Sequence, residues 1–382
     1  MSKIKKLLIV SCSTGSGHFR AAEALRLSCQ KMYPEVRVLH IDLADYLSGF
    51  ARAFSVSSYN LLITRIPKIY KFIYHITDRP FAQKVLIAFR PFFKFGAGAF
   101  FKKIKDYQPD FIISTQFTPQ LLLPKNFSTP LDTVITDYHA HQIWLAPCVR
   151  NFFVASEDTK IELSRLFFGE KSRILDSDES ESGEKLSALS GKIIVSGLPL
   201  HSGFFDVKNT AELKKKLNIN NDWPIILIMP IASGKISAKD AVSTIFSYHK
   251  NINVVAISGK DNRHTFNDLE NIKESGQKNF TILKTADNID EWMRIADVIV
   301  GKAGGLSVSE AMHLQKPIII INPIPGQEDF NAEYLEKNHY GLKANSSDDL
   351  AKKIQTILEN PRVLKTESHP DASEIILRNV FS

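Results

Sequence analysis

Short apolar, β-branched runs alternate along the whole chain with longer amphipathic stretches, the pattern of parallel strands joined by crossover helices. In the first half the runs predict strands at Lys6–Ser11, Val36–Ile41, Phe111–Ser114, Thr133–Thr136, Phe152–Ala155 and Ile193–Val195. In the second half they predict strands at Ile225–Met229, Val254–Ile257, Phe280–Leu283, Val298–Val300 and Pro317–Ile321. Helices fall between them, among others over His18–Tyr33 and Leu306–Leu314. Two sets of this kind predict an α/β protein of two doubly wound, Rossmann-like domains facing across a cleft, over residues 1–200 and 201–365, with a last helix within 366–382. Ligands of such sheets gather at the carboxyl ends of the strands. Gly197-Leu-Pro199 and Gly203 read as the hinge, and the Ser, Glu and Asp of residues 171–191 as a solvated insertion.

A length of 382 residues suits two such domains. Hydrophobic content of 44% with 23% charged residues describes a soluble globular chain and excludes a disordered one. The longest apolar runs, such as Ile225–Met229 and Ile318–Ile321, fall far below the roughly 20 residues that cross a bilayer. Basic residues precede Leu7–Val10, but that stretch is too short for a signal peptide and reads as a strand. Cys12, Cys29 and Cys148 show neither metal-ligand spacing nor a disulfide framework, so cytoplasmic residence is the default expectation.

Charge changes the picture through its distribution. The whole chain carries +7, yet Phe50–Lys105 holds eleven Lys or Arg residues against one acid, Asp78, which leaves the rest slightly acidic. The same window contains ten phenylalanines. Basic side chains among exposed aromatics suit an anionic lipid surface, where charge and apolar burial add. The alternative is a helical subdomain with its phenylalanines in the core. Nothing in the window matches a nucleic-acid module, so no nucleic-acid partner is expected.

Two constellations carry chemistry. Ser13-Thr-Gly15-Ser16-Gly17-His18 lies between a strand and the Ala21–Leu25 helix. Its glycines permit a tight turn, and a helix N-terminus offers unpaired N–H groups to a ligand. As a dinucleotide fingerprint it is incomplete, with Arg20 where a third small residue belongs, although Asp42 would supply the ribose-binding acid of a dehydrogenase. His18, in the first helical turn, feels the positive end of the dipole and is expected to be neutral near pH 7, able to accept a proton or simply to bond the loop. The second constellation runs Asp297-Val-Ile-Val-Gly-Lys302-Ala-Gly304-Gly305-Leu306-Ser307-Val-Ser-Glu310, followed by Pro325-Gly-Gln327-Glu328-Asp-Phe-Asn331. A strand entering a glycine turn and a helix can hold a diphosphate on the helix amides. Glu310 suits the two hydroxyls of a ribose, and Gln327 and Glu328 suit sugar hydroxyls. Ser307-x-x-Glu310 also reads as a capping box, in which the carboxylate serves only the helix start.

These segments resemble the monogalactosyldiacylglycerol synthase and processive diacylglycerol glucosyltransferase group of glycosyltransferase family 28. The matching segments are Gly15-Ser16-Gly17-His18 with Ala21–Leu25, Lys302–Ala311, and Pro325–Asn331. Between them lie Thr136-Asp137-Tyr138 with His141 and Trp144, then Phe153–Glu157 and Gly197–Pro199, so the resemblance spans most of residues 5–345. It implies a GT-B fold, a UDP-hexose donor in the second domain, a diacylglycerol acceptor in the first, and inversion at the anomeric carbon. It also implies peripheral association with the cytoplasmic face of an anionic membrane. By position, Glu310 would hold the ribose and Gln327 and Glu328 the donor sugar, with Gly304–Ser307 at the diphosphate and Lys302 and Asn331 also among the donor-binding residues. Gly15–Gly17, Tyr138, His141 and Trp144 would line the acceptor side, with His18 or Asp137 as the base.

Three departures stand out. The family's glycine-rich turn opening the second domain is here Met229-Pro-Ile-Ala-Ser233-Gly234-Lys235, with one glycine left beside Ser233 and Lys235 to meet a phosphate. Arg150 stands where the family tends to carry an acid, and the 171–191 insertion is unusual. Asp176-Ser-Asp178 forms a D-x-D of the kind that binds a divalent metal in another fold, but it lies in that insertion, so no metal and no cofactor is expected. Rival readings are a lipid-linked N-acetylglucosaminyl transferase and a degenerate, non-catalytic lipid- or nucleotide-binding module.

Overall fold

Strand β1 (Lys6–Ser11) is buried on both faces from Leu7 onward and needs cover on each side, which a parallel sheet between helical layers supplies. The structure, a computed structural model, describes all residues except 1–3, 14, 54–57, 80–93, 125–126, 169–192, 232–233, 261, 362–363 and 365–369. The chain divides into two compact units, residues 1–202 with 370–382, and residues 203–369.

In the first unit β1 is followed by α1 (Ser16–Met32), β2 (Arg37–Asp42), α2 (Gly49–Arg52), α3 (Ser58–Arg65), α4 (Pro67–Thr77) and α5 (Gly98–Tyr107). Then come β3 (Phe111–Ser114), α6 (Thr118–Leu122), β4 (Leu131–Val134), β5 (Val149–Val154), α7 (Glu157–Phe168) and β6 (Ile193–Val195). The strands form one parallel sheet in the order β2-β1-β3-β4-β5-β6. Leu8, Val10 and Ile112 share one core with Phe100 and Ile104 of α5. Leu7, Ile9 and Ile113 share the other with Ala22, Leu25 and Cys29 of α1.

The second unit holds α8 (Thr210–Lys216), β7 (Ile225–Ile228), α9 (Ala238–Tyr248), β8 (Asn253–Ile257), α10 (Arg263–Glu274) and β9 (Phe280–Leu283). It continues through α11 (Ile289–Ile295), β10 (Val298–Gly301), α12 (Gly305–His313), β11 (Ile318–Ile320), α13 (Gln327–Lys337), β12 (Gly341–Lys343) and α14 (Ser347–Glu359). Its parallel sheet runs β12-β11-β10-β7-β8-β9. The last helix, α15 (Ala372–Phe381), returns to the first unit. Ile376, Leu377 and Val380 enter the core around α1, and Phe381 stacks on Tyr33 with ring centroids 4.1 Å apart.

Every strand expected from the apolar runs is present, with ends shifted by a few residues. β12 has no counterpart in that reading, because three residues with one lysine carry no apolar run. Strand order reverses between β1 and β3 in the first sheet and between β7 and β10 in the second, and at such switch points the loops diverge and leave a crevice. Asp176 and Asp178, with the whole 171–191 insertion, lie outside the described residues, as do Ser233 and Phe54, Phe81, Phe89, Phe92 and Phe93.

Candidate active site

At the first switch point the chain leaves β1, turns at Gly15 and enters α1. Gly15 has φ 128° and ψ 150°, a conformation side chains resist, and open space surrounds the position of a Cβ. Asp42 holds this turn from β2. Its carboxylate accepts from Ser13 N at 3.1 Å, from the Ser13 hydroxyl, and from Ala44 N at 2.9 Å. The ribose-binding role that a dehydrogenase would give Asp42 is thus displaced by a loop-fastening one.

His18 is the third residue of α1 and is buried. Its Nδ1 lies 2.9 Å from the Thr115 carbonyl oxygen and 2.8 Å from the Thr136 hydroxyl oxygen, while the Thr115 hydroxyl donates to His18 O at 2.8 Å. A carbonyl oxygen only accepts, so Nδ1 carries the proton and Nε2 the lone pair. Burial lowers the His18 pKa, against the opposing charge of Asp137. Burial, not the helix dipole, is the main cause. Thr115 is invisible to motif reading, but the polar run Ser114-Thr115-Gln116 at the carboxyl end of an apolar strand marks the place.

The segment after β4 carries Thr136, Asp137, Tyr138, His139, His141 and Trp144, all but His139 nearly fully buried. Trp144 closes a short 3-10 turn, with its indole centroid 6.3 Å from the His18 ring and edge-on to Phe117. Tyr138 contributes its carbonyl oxygen to the Thr159 hydroxyl at 2.9 Å. In His141, Nδ1 accepts from Ile143 N at 3.1 Å and Nε2 donates to Tyr74 O at 3.0 Å, so both ring nitrogens hold the loop. His139, which the sequence reading passed over, bridges Asp78 at 3.2 Å and Glu162 at 3.0 Å. Burial alone would lower its pKa, but the two carboxylates raise it to about 9, so it is an imidazolium.

Arg150 has a local explanation. Asp132 on β4 is fully buried, and Arg150 answers it with Nε at 3.0 Å and a terminal nitrogen at 2.9 Å. Burial still raises the Asp132 pKa over these partners. The basic residue at this position belongs to the sheet.

At the second switch point β10 ends at Gly301, where a Cβ would press to 3.0 Å on Met229 Cβ beyond β7. The chain passes Lys302 and enters α12 with Gly304 as N-cap and no side-chain cap bond. Gly305, Leu306 and Ser307 are therefore the first three helical residues, whose N–H groups lack intrahelical partners. Ser307 stands inside the helix, so the capping-box reading of Ser307 and Glu310 is wrong: the helix begins at the glycine two residues earlier. Glu310 is nearly fully buried one turn on.

Helix α13 closes on this loop from its own first turn. Glu328 pairs with Lys302 at 3.1 Å and accepts from Ile324 N at 2.9 Å, and Asn331 donates to Ala303 O at 2.9 Å. Each Glu328 oxygen thus has a partner within the chain, with a second lone pair left to meet a ligand. Gln327, half-buried, opens α13 after Gly326, whose φ is 91°. Across the switch point Gly234 and Lys235 are exposed. Asn322, with a left-handed φ of 46°, accepts from Ile236 N at 3.2 Å and donates to Ile236 O at 2.6 Å. A Cβ on Gly234 would run into that Asn322 side chain. The single glycine of the turn is the one that packing requires, and Asn322, immediately before Pro323, is its unforeseen anchor.

Two parallel six-stranded units of this topology define a GT-B fold, shared by glycosyltransferases and sugar-nucleotide epimerases. The UDP-GlcNAc 2-epimerase of Neisseria meningitidis, solved with UDP-GlcNAc, aligns with a TM-score of 0.61 at 14% identity over 98% of this chain and 99% of that one. MurG of Acinetobacter baumannii aligns at 0.55 and 13% identity, over 98% and 99%. Residues 18–166 match the family described as monogalactosyldiacylglycerol (MGDG) synthase, and residues 234–376 match the glycosyltransferase family 28 C-terminal domain. The processive diacylglycerol β-glucosyltransferase of Bacillus subtilis is 24% identical over 100% of this chain and 96% of its own length. Its namesake in Bacillus licheniformis is 23% identical over the same shares. Over both halves the chain is thus similar to glycosyltransferase family 28 and to its monogalactosyldiacylglycerol synthases and processive diacylglycerol glucosyltransferases.

Proposed function

We propose that the protein moves a hexose from a UDP-sugar to the hydroxyl of diacylglycerol at a membrane surface, with inversion at the anomeric carbon. The observation that carries this reading is the tautomer of His18, with Nδ1–H committed to Thr115 O and the lone pair on Nε2. Nε2 takes the acceptor's hydroxyl proton as its oxygen attacks the anomeric carbon, and UDP leaves with the electron pair of the broken bond. Asp137, the other candidate base, favours the imidazolium that forms. The N–H groups of Gly305–Ser307, with Lys302 and Lys235, meet the charge developing on the diphosphate, so no metal is required. Glu310 holds the ribose hydroxyls, and Gln327 and Glu328 the hexose. Glucose is the favoured donor sugar, since the bacterial relatives are named β-glucosyltransferases.

The membrane part rests on exposed apolar side chains among basic ones. Phe50, Phe72 and Phe95 are 69%, 66% and 95% exposed, with Ile69 and Ile73 on α4 beside Lys68 and Lys71. Among the described residues no helix is long and apolar enough to cross a membrane; docking at the cytoplasmic face is part of the same proposal. Purified protein, diacylglycerol in anionic vesicles and UDP-glucose, UDP-galactose or UDP-N-acetylglucosamine, read by mass spectrometry, test the proposal. A hexosyl-diacylglycerol is expected. An N-acetylhexosaminyl product on another lipid, or UDP binding without any product, would overturn it.

A further inference from the structure

Helix α4 has two different faces. Tyr70, Tyr74 and the cap residue Asp78, spaced four apart, turn inward, while Lys68, Ile69, Lys71, Phe72 and Ile73 are exposed. The inward face rests directly on the segment after β4. Tyr74 packs on His141 with ring centroids 4.5 Å apart and accepts from it through its carbonyl oxygen. Asp78 accepts from Gln142 N at 2.9 Å and from His139, which Glu162 of α7 holds from the other side. Glu162 also accepts from Ala140 N at 3.1 Å. Two backbone N–H groups, of Ala140 and Gln142, and the rings of His139 and His141, all in the segment that carries Asp137 and Trp144, are therefore held by α4 and α7. The one acid of the basic window sits at the fastening point.

We propose that Asp78 is a positioning residue that couples the lipid-facing helix α4 to the loop opposite His18, so that seating α4 on a membrane sets the position of Asp137 and Trp144. The inference rests on the membrane reading above. Its physical ground is that one short helix carries both contacts. A shift of α4 as its outer face settles into lipid must move residues 139–142, because the His141 ring is bonded to Tyr74 O, and the His139 ring and Gln142 N to the Asp78 carboxylate.

Asp78→Asn is the sharp variant. Asparagine keeps a carbonyl oxygen for Gln142 N and loses only the ionic arm to His139, so the fold has its backbone bond. Hydrogen–deuterium exchange is followed with and without phosphatidylglycerol vesicles, beside kinetics with UDP-glucose and diacylglycerol. In the native protein vesicles slow exchange in both 67–78 and 138–144. In Asp78→Asn, where only the His139 arm is lost, they slow it in 67–78 as before and in 138–144 to a smaller extent, turnover on vesicles falls by about tenfold, and the UDP-glucose KM is unchanged. Asp78→Glu recovers part of the loop response. A native loop that ignores vesicles while α4 responds, or an Asp78→Asn loop that responds as the native one does, overturns the coupling. A native α4 that ignores vesicles overturns the membrane reading and the coupling with it. If both segments respond and diacylglycerol is not glycosylated, the acceptor reading falls and the coupling stands.

Discussion

Nδ1 of His18 lies 2.9 Å from the carbonyl oxygen of Thr115, a residue 97 positions away in the chain, and this contact dictates which ring nitrogen keeps its lone pair. His18→Ala is expected to lower kcat by about 10²–10⁴-fold with the fold intact by circular dichroism. An unchanged rate would remove His18 as the base.

The same histidine sets an acid limb. Its pKa lies below the ordinary 6.5 because of burial, so Nε2 is already deprotonated at neutral pH. The rate kcat/KM is expected to be flat from about pH 7 upward and to fall only below 6.5. Stability follows in the same sense, because the unfolded chain binds the proton more readily than the folded one: His18 contributes above 6.5, and the contribution fades as pH falls. His139, facing Asp78, Glu162, Tyr74 and His141, acts in the opposite sense. Its pKa of about 9 gives stability that is full below 6.5 and lost as pH rises through 9. Urea denaturation of the native protein and His139→Gln across pH 6–9 separates the two, and the difference between them should shrink toward high pH.

Glu310 is the sixth residue of α12, whose N-cap is Gly304, and so does not occupy the third position that a capping box requires. Glu310→Gln is therefore expected to raise the UDP-sugar KM about tenfold or more, with little change in the acceptor KM. A donor KM within twofold of the native value would assign Glu310 to packing.

Arg150→Met leaves Asp132 buried without its counter-charge. A loss of about 3 kcal/mol in urea denaturation is expected. The double variant with Asp132→Asn should recover much of it. A single variant as stable as the native protein would mean that water reaches Asp132.

Gly234→Ala puts a methyl group into the Asn322 side chain and should displace the 234–236 turn, raising the donor KM. Asn322→Ala in the same chain makes room for that methyl but gives up both bonds to Ile236, so the donor KM should stay raised. Turnover is expected to persist in EDTA, and its complete loss would restore a metal to the mechanism.

The sheets were legible because strands such as Leu7–Val10 and Val298–Val300 are apolar on both faces, and only a doubly covered parallel sheet accepts that. The motif glycines were legible too, since Gly15 and the Gly304–Gly305 pair sit where a strand ends and a helix begins. What holds those turns was not. Thr115 meets His18, and Asn322 meets Gly234, because parallel crossovers bring the ends of distant strands side by side, and strand order leaves no trace in local spacing. Ser307 and Glu310 erred in the other direction: their spacing satisfies a local rule, but the rule does not say where the helix starts.

The return of α15 to the first unit bears on how the protein is made. Ile376, Leu377 and Val380 join Leu25 and Cys29 in one core, yet the whole second domain is synthesised between them. Domains fold as the chain emerges, amino-terminal parts first. Here the helix that begins two residues before His18 must wait on the ribosome with its back uncovered until residues 372–381 have appeared. A chain interrupted after a complete second domain would carry every proposed catalytic and donor-binding residue and still lack the packing behind the helix on which His18 stands.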